Sequence, residues 1–244
     1  MSQKKRLSSE NIIVALDTPD LKQVKKIVKA LHKTIPHFKV GSELFSVHGP
    51  EAVKAVRWAG GHVFLDLKYH DIPNTVAGAV REATKLNIFM MTVHASGGIA
   101  MMEAARAAAE EMSRRRKVKR RPKIVGVTVL TSLSEADLQT SLGLEKSLEE
   151  TVIRLANNAD QAGLDGVVAS GRELELIRSK VSRDMIVVVP GIRPAWAVKG
   201  DQSRIMTPRK AMDLGADYLV IGRPITQAKD PIEAAYKVIE EMRK

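Results

Sequence analysis

Apolar runs of strand length alternate along the chain with segments whose apolar residues recur at helical spacing. The first pair is Ile12 to Asp17 followed by Pro19 to about Lys33, where Leu21, Val24, Ile27, Val28 and Leu31 fall on one helix face. Pro19 suits a first helical turn, where its missing N–H is not needed. The pairing repeats in His37 to Gly41 with Pro50 to Ala59, and in His62 to Lys68 with Pro73 to Leu86. It continues in Ile88 to His94 with Ile99 to Met112, and in Ile124 to Thr131 with Leu148 to Ala162. Gly166 to Ser170, Met185 to Pro190 and Tyr218 to Gly222 close the series, each with a helical pattern after it, the last being Pro231 to Met242.

Runs such as Ile186-Val187-Val188-Val189 are apolar at every position, as parallel strands are when other elements cover both faces of the sheet. Strict alternation of strand and helix argues for right-handed βαβ units. Eight such units in 244 residues predict an α/β fold, a closed (β/α)8 TIM barrel forming a single domain over 1–244, with 1–10 a mobile N-terminal extension. An open doubly wound sheet typically uses fewer strands. No Gly-x-Gly-x-x-Gly opens any helix, so a Rossmann dinucleotide site has no support.

Composition narrows the chemistry. The chain has no Cys, which excludes disulfides, thiolate metal sites and a Cys nucleophile, and fits a reducing compartment. No window approaches the ~20 apolar residues of a membrane span. Met1 to Glu10 carries Lys4, Lys5 and Arg6 without the apolar stretch of a secretory signal, so a cytoplasmic protein with no membrane contact is expected. The net charge of +11 raises the question of nucleic acid. Its source is local: Arg114, Arg115, Arg116, Lys117, Lys119, Arg120, Arg121 and Lys123, with Lys4, Lys5 and Arg6, equal the whole excess. That basic run has no aromatic residue on which bases would stack, and it reads as a solvated loop.

In a barrel of this kind the chemistry lies where strands end, and several strands end in polar residues. They are Asp17 after the first, Lys39 in the second, Asp66 and Lys68 in the third with Asp71 just beyond, and His94 at the end of the fourth. The fifth finishes on Thr131 and Ser132, the seventh on Gly191-Ile192-Arg193 and the eighth on Gly222-Arg223. Strand alternation puts Asp66 and Lys68 on one face, with Leu65 and Leu67 on the other. Carboxylates beside a lysine favour its ammonium form, which makes such a lysine a positioned proton donor. The plain alternative is a structural ion pair, against which Asp71, Lys39 and Asp17 weigh. Gly191, Arg193, Gly222 and Arg223 occupy the usual phosphate position of the barrel, where glycine admits backbone N–H groups and arginine supplies a fork of donors. The plain alternative there is turn geometry. His94 alone reads as a structural histidine, and the six His show no metal-binding spacing, so no metal is expected.

These residues stand in segments that closely resemble the orotidine 5′-phosphate decarboxylase family in its bacterial form. The segments run from Ile12-Ile13-Val14-Ala15-Leu16-Asp17 to Val220-Ile221-Gly222-Arg223-Pro224-Ile225, nearly the whole chain. Among them are Phe38-Lys39-Val40-Gly41, Leu65-Asp66-Leu67-Lys68-Tyr69-His70-Asp71-Ile72-Pro73-Asn74-Thr75 and Pro190-Gly191-Ile192-Arg193-Pro194, with Gln202 in Asp201-Gln202-Ser203-Arg204. The resemblance implies removal of CO₂ from orotidine 5′-monophosphate to give UMP through a carbanion at C6, with no metal and no organic cofactor. It implies Lys68 as proton donor to C6, with Lys39, Asp66 and Asp71 completing a charge network around it. Asp17 and Lys39 would hold the ribose, Thr131 or Ser132 the pyrimidine amide, and Gln202, Arg193, Gly222 and Arg223 the phosphate. It also implies a homodimer in which Asp71 and Thr75 look into the neighbouring subunit's site. Residues Arg193 to Thr207 are the natural lid.

Two other readings compete. Barrels resembling hexulose-phosphate synthase or keto-gulonate-phosphate decarboxylase share Asp-x-Lys-x-x-Asp but work through a Mg²⁺-stabilised enediolate. The run His70 to Thr75 and the Gln202 segment favour the pyrimidine enzyme. An RNA-binding barrel using Arg114 to Lys123 is the other, of a different class.

Overall fold

The computed structural model describes residues 8–116, 121–197 and 206–243. Eight parallel strands close into a barrel in chain order, β1-β2-β3-β4-β5-β6-β7-β8, the last pairing with the first. Along the chain, β1 (Ile12–Ala15), α1 (Leu21–Leu31), β2 (His37–Gly41), α2 (Ser42–His48), α3 (Pro50–Trp58), β3 (His62–Tyr69) and α4 (Pro73–Lys85) come first. Next are β4 (Met90–His94), α5 (Ile99–Arg115), β5 (Lys123–Val127), α6 (Glu135–Leu142), α7 (Leu148–Gln161), β6 (Gly166–Val168) and α8 (Leu174–Lys180). The series ends with β7 (Ile186–Val189), α9 (Pro208–Asp213), β8 (Tyr218–Ile221), α10 (Arg223–Thr226) and α11 (Pro231–Arg243). The predicted (β/α)8 architecture is the one observed.

The side-chain period of two splits each strand between two apolar cores. Ile13, Ala15, Phe64, Met90, Val125, Val188 and Val220 fill the lumen, while Val14, Phe38, Val40, Leu65, Met91, Val187 and Leu219 pack outward with the helices. Burial on both faces is why the strands read as unbroken apolar runs. No described helix is long and apolar enough to cross a membrane.

Several boundaries differ from the predicted ones for local reasons. Helix α1 starts at Leu21 rather than Pro19 because the Asp20 carboxylate accepts from the N–H groups of Lys22 and Gln23 as the N-cap. Strand β5 stops at Val127 rather than Thr131, since Thr128 turns both its N–H and its hydroxyl to the Val168 carbonyl and a turn closes from Leu130 to Leu133. Helices α2 and α6 were not predicted. The second has a capping box, Ser134 with Asp137, but its eight residues are too few to show a clear period. Of the expected N-terminal extension, Ser8 to Glu10 belong to a capped 3₁₀ turn, and 1–7 lie outside the described residues.

The N-terminal ends of the strands are tied by carboxylates. Asp165, just before β6, accepts from the Ile124 N–H of β5 at 2.8 Å and from both terminal nitrogens of Arg121 at 2.6 and 2.7 Å. Asp217, just before β8, accepts from the Val187 N–H of β7 and from Arg178, both at 2.7 Å. Between these latches an aromatic plug closes the barrel floor: His37 stacks on Phe89 at 4.2 Å, and Tyr218 meets Phe89 edge-on at 5.7 Å. Burial first, and then the neighbouring His62, push His37 down to about 4, so the ring enters the plug uncharged. The floor is thus committed to stability and the opposite end is left to the site.

Replacing Asp165 with Ala removes a carboxylate that joins two strand ends and leaves Arg121 without its bidentate partner. Chemical denaturation of Asp165→Ala is expected to show a loss of about 2–4 kcal/mol, the range for breaking a buried pair with one partner tempered by solvent. A loss below about 0.5 kcal/mol, the level of an ordinary surface change, would contradict the latch.

Candidate active site

Strand geometry assembles a row of charges at the C-terminal mouth. Within β2, Phe38 and Val40 face the helices, so Lys39 between them faces the lumen. The register sets Ala15 opposite Lys39 and Gly41 opposite Asp66, which brings the first three strand ends to one level. Lys39 Nζ lies 2.9 Å from Asp17 Oδ1 and 3.7 Å from Asp66 Oδ2, and Lys68 Nζ lies 2.9 Å from Asp66 Oδ1. The sign therefore alternates along Asp17, Lys39, Asp66 and Lys68. The Lys39 and Asp66 side chains are each 13% exposed, whereas Lys68 keeps 34%, so the lysine at the end of the row is the more open of the two. Gly41 makes room for the row: a Cβ there would stand 2.9 Å from Lys39 Nζ and 3.6 Å from Asp17 Oδ1.

Lys68 reaches Asp66 by a route that simple alternation does not describe. Its φ is +51°, in the left-handed region that costs a non-glycine residue about 1–3 kcal/mol. Strand β3 is irregular here: Leu65 pairs with Met91 and Tyr69 with Val93, so four steps on β3 match two on β4. In the bulge, the Lys68 N–H donates to Thr92 Oγ1 at 2.8 Å, and that hydroxyl donates to Asp66 Oδ1 at 3.1 Å. Thr92 was not singled out from sequence. A signal existed, because Met90 lies in the lumen core and period two turns Thr92 inward as a lone hydroxyl in an apolar strand.

The charged row borders a cavity of about 360 Å³, within the range of small-molecule sites. Its floor is apolar, with Ala15, Phe64, Val127, Val168 and Val220, and its rim carries Asp17, Lys39, Asp66, Lys68, Thr131, Arg193 and Arg223. Gly191 also lines it, at a φ of +74° that favours glycine, and Gly222 lies beside Ala15 and Asp17. Eight predicted site residues are therefore gathered in one cavity: Asp17, Lys39, Asp66, Lys68, Thr131, Arg193, Gly222 and Arg223. Ser132 stands outside it, in the exposed turn after β5. Asp71 and Thr75 are exposed and do not line it; Asp71 Oδ1 accepts from the Ile72 N–H at 2.6 Å at the start of α4. Gln202, and 198–205 of the predicted lid, lie outside the described residues. The segment's two ends meet, with the Arg193 N–H donating to the Met206 carbonyl at 3.1 Å. Among the described residues no three His, Asp or Glu side chains are grouped so as to hold a metal ion.

Comparisons with known proteins find relatives along nearly the whole chain. A sequence model of the orotidine 5′-phosphate decarboxylase / HUMPS family matches residues 10–238. The chain is 50% identical over 235 residues to the orotidine 5′-phosphate decarboxylase of Moorella thermoacetica, covering 96% of this chain and 93% of that one. It is 48% identical to the protein of the same name from Trichlorobacter lovleyi, covering 96% of both chains. Among solved structures, the crystal structure of orotidine 5′-phosphate decarboxylase from Lactobacillus acidophilus superimposes with a TM-score of 0.85 at 35% identity, covering 96% of this chain and all of that one.

Behind Lys68 stands His94, whose ring centroid is 5.2 Å from that of His70. Burial first, then His70 and then the Lys68 ammonium lower its pKa, while Asp66 opposes them. A proton-detected NMR titration is therefore expected to give His94 a midpoint below the ordinary 6.5, and Lys68→Ala is expected to raise it by removing one of the cations. A wild-type midpoint at or above 6.5, or a lower one in Lys68→Ala, would contradict the electrostatics described.

Proposed function

The chain belongs to the orotidine 5′-phosphate decarboxylase / HUMPS family, and from that premise we propose that it is the decarboxylase itself, a carboxy-lyase converting orotidine 5′-monophosphate to UMP and CO₂. The observation that carries this reading is the alternating row Asp17, Lys39, Asp66 and Lys68 at the rim of a cavity whose floor is apolar. When the bond from C6 to the carboxylate breaks, its electron pair stays on C6 and CO₂ leaves. A carbanion with no electron sink needs positive charge already in position, and an ammonium fixed by Asp66 supplies it without reorganisation. Lys68 Nζ then gives its proton to C6, which completes UMP and leaves a neutral amine to be reprotonated from solvent. Both carboxylates of the row are paired with ammonium groups, which supports chemistry run by the chain's own charges.

The other candidate residues are assigned to the remainder of the nucleotide. Asp17 and Lys39 hold the ribose hydroxyls, Thr131 or Ser132 meets the pyrimidine amide, and Arg193, Gly222, Arg223 and Gln202 take the phosphate. Phosphate binding remote from C6 supplies energy for arranging the charged site and closing the lid. The enzyme works in the cytoplasm as a homodimer. Asp71 and Thr75 lie outside their own cavity next to Ile72, an apolar side chain left 67% exposed, and this supports a second subunit covering them and receiving Asp71 beside its Lys68.

Purified protein is expected to consume orotidine 5′-monophosphate at the same rate with and without a strong chelator, as followed by absorbance. Lys68→Ala should lower kcat by about 10⁴-fold or more, since general-acid catalysis and electrostatic stabilisation are lost at one atom. Inhibition by chelator reversed by Mg²⁺ would move the enzyme to the enediolate branch of the family, and a folded Lys68→Ala with near-normal kcat would remove Lys68 from its role.

The shared site has its own test. Lys68→Ala and Asp71→Ala homodimers should each be nearly inactive, but a mixed dimer holds one site lacking both groups and one wholly intact. Subunit exchange between the two variants is expected to restore activity. No recovery, with exchange verified by mass-tagged subunits, would mean that each barrel builds its site alone.

A further inference from the structure

The row of charges is held from behind by a residue that the substrate never meets. Thr92 is 0% exposed, on the inner face of β4, and does not line the cavity. The direction of its hydrogen bonds follows from chemistry alone. The Lys68 N–H can only donate, so Thr92 Oγ1 accepts there, at 2.8 Å, and the single hydroxyl proton is left for Asp66 Oδ1, at 3.1 Å. That same Oδ1 accepts from Lys68 Nζ at 2.9 Å. One hydroxyl thus grips both ends of Lys68, its main chain directly and its ammonium through the carboxylate. It does so where the strand ladder is interrupted and the Lys68 backbone sits at φ +51°, so the neighbouring strand offers no regular ladder bond there.

We propose that Thr92 is a positioning residue for the decarboxylation, fixing the Lys68 ammonium at the reacting carbon by anchoring the left-handed Lys68 backbone and the Asp66 carboxylate at once. This rests on the reading of Lys68 as proton donor. The hydroxyl is the active part. Valine has nearly the same shape and the same branched stiffness but leaves the partly buried Lys68 N–H and one carboxylate lone pair without it. Serine keeps the hydroxyl and loses only a methyl group.

The test compares the full-length wild type, Thr92→Val and Thr92→Ser, by steady-state kinetics on orotidine 5′-monophosphate and by amide hydrogen exchange at Lys68. Thr92→Val is expected to lose about 10–100-fold in kcat with KM little changed, the cost of a small misplacement of a catalytic group. Thr92→Ser is expected to restore most of that loss. The Lys68 amide should be protected in the wild type and in Thr92→Ser, and should exchange at least about tenfold faster in Thr92→Val, as the loss of a buried hydrogen bond requires. A folded Thr92→Val with wild-type kcat, a Thr92→Ser as slow as Thr92→Val, or an unprotected Lys68 amide in the wild type would each overturn the proposal. If Thr92→Val does not fold, the wild-type exchange rate and the Thr92→Ser kinetics still decide it. If the wild type shows no decarboxylation, the functional reading fails by itself, while the exchange data independently decide whether Thr92 anchors Lys68.

Discussion

Two ammonium groups and two carboxylates crowd one barrel mouth, and only strict alternation of sign makes the crowding tolerable. Like charges 4 Å apart repel by about 4 kcal/mol at an effective dielectric of 20, and opposite charges recover the same amount. Any exchange of position between Lys39 and Asp66 would set like beside like on both sides. The surrounding structure can be understood as what this order demands. Strand period two turns Lys39 and Asp66 into the lumen, the register levels the ends of β1, β2 and β3, and Gly41 leaves the space in which Lys39 bridges to Asp17. The bulge in β3 then swings Lys68 to the open end of the row.

The two ends of the barrel use carboxylates for opposite purposes. At the floor, Asp165 and Asp217 accept from backbone N–H groups and from arginines, spanning adjacent strands with bonds that a rigid framework needs. Desolvation opposes the ionised form of Asp165, and Arg121 together with the Ile124 N–H more than offsets it, so its pKa stays below the ordinary carboxylate range. At the mouth, Asp17 and Asp66 pair with lysines, whose single ammonium on a long stem can serve a substrate as well as its partner. Strain collects there too, in the left-handed Lys68.

Most of the barrel was legible because most strand positions on both faces are buried, which writes itself as runs like Ile186 to Val189. Asp17, Lys39, Asp66, Lys68, Arg193 and Arg223 were legible as polar residues at the ends of such runs. What stayed hidden depends on neighbours rather than on local pattern. The bulge that aims Lys68 arises from a mismatch between β3 and β4, and neither strand shows it alone. Thr92 matters only through what it bonds to. Helix α2 follows β2 at once from Gly41 with no side-chain cap, so nothing marks its start. Asp71 and Thr75 stay exposed outside the cavity of their own chain, so its geometry gives them no partner in the row.

The most direct measurement concerns the proton at C6. By microscopic reversibility, a Lys68 ammonium that protonates the carbanion must also, as the free amine, remove the C6 proton of bound UMP. Wild-type enzyme incubated with UMP in D₂O should therefore wash deuterium into C6, as seen by NMR, while Lys68→Ala should leave C6 unlabelled. Equal exchange in the two proteins would contradict the account, because the carbanion would then be meeting its proton somewhere other than Lys68.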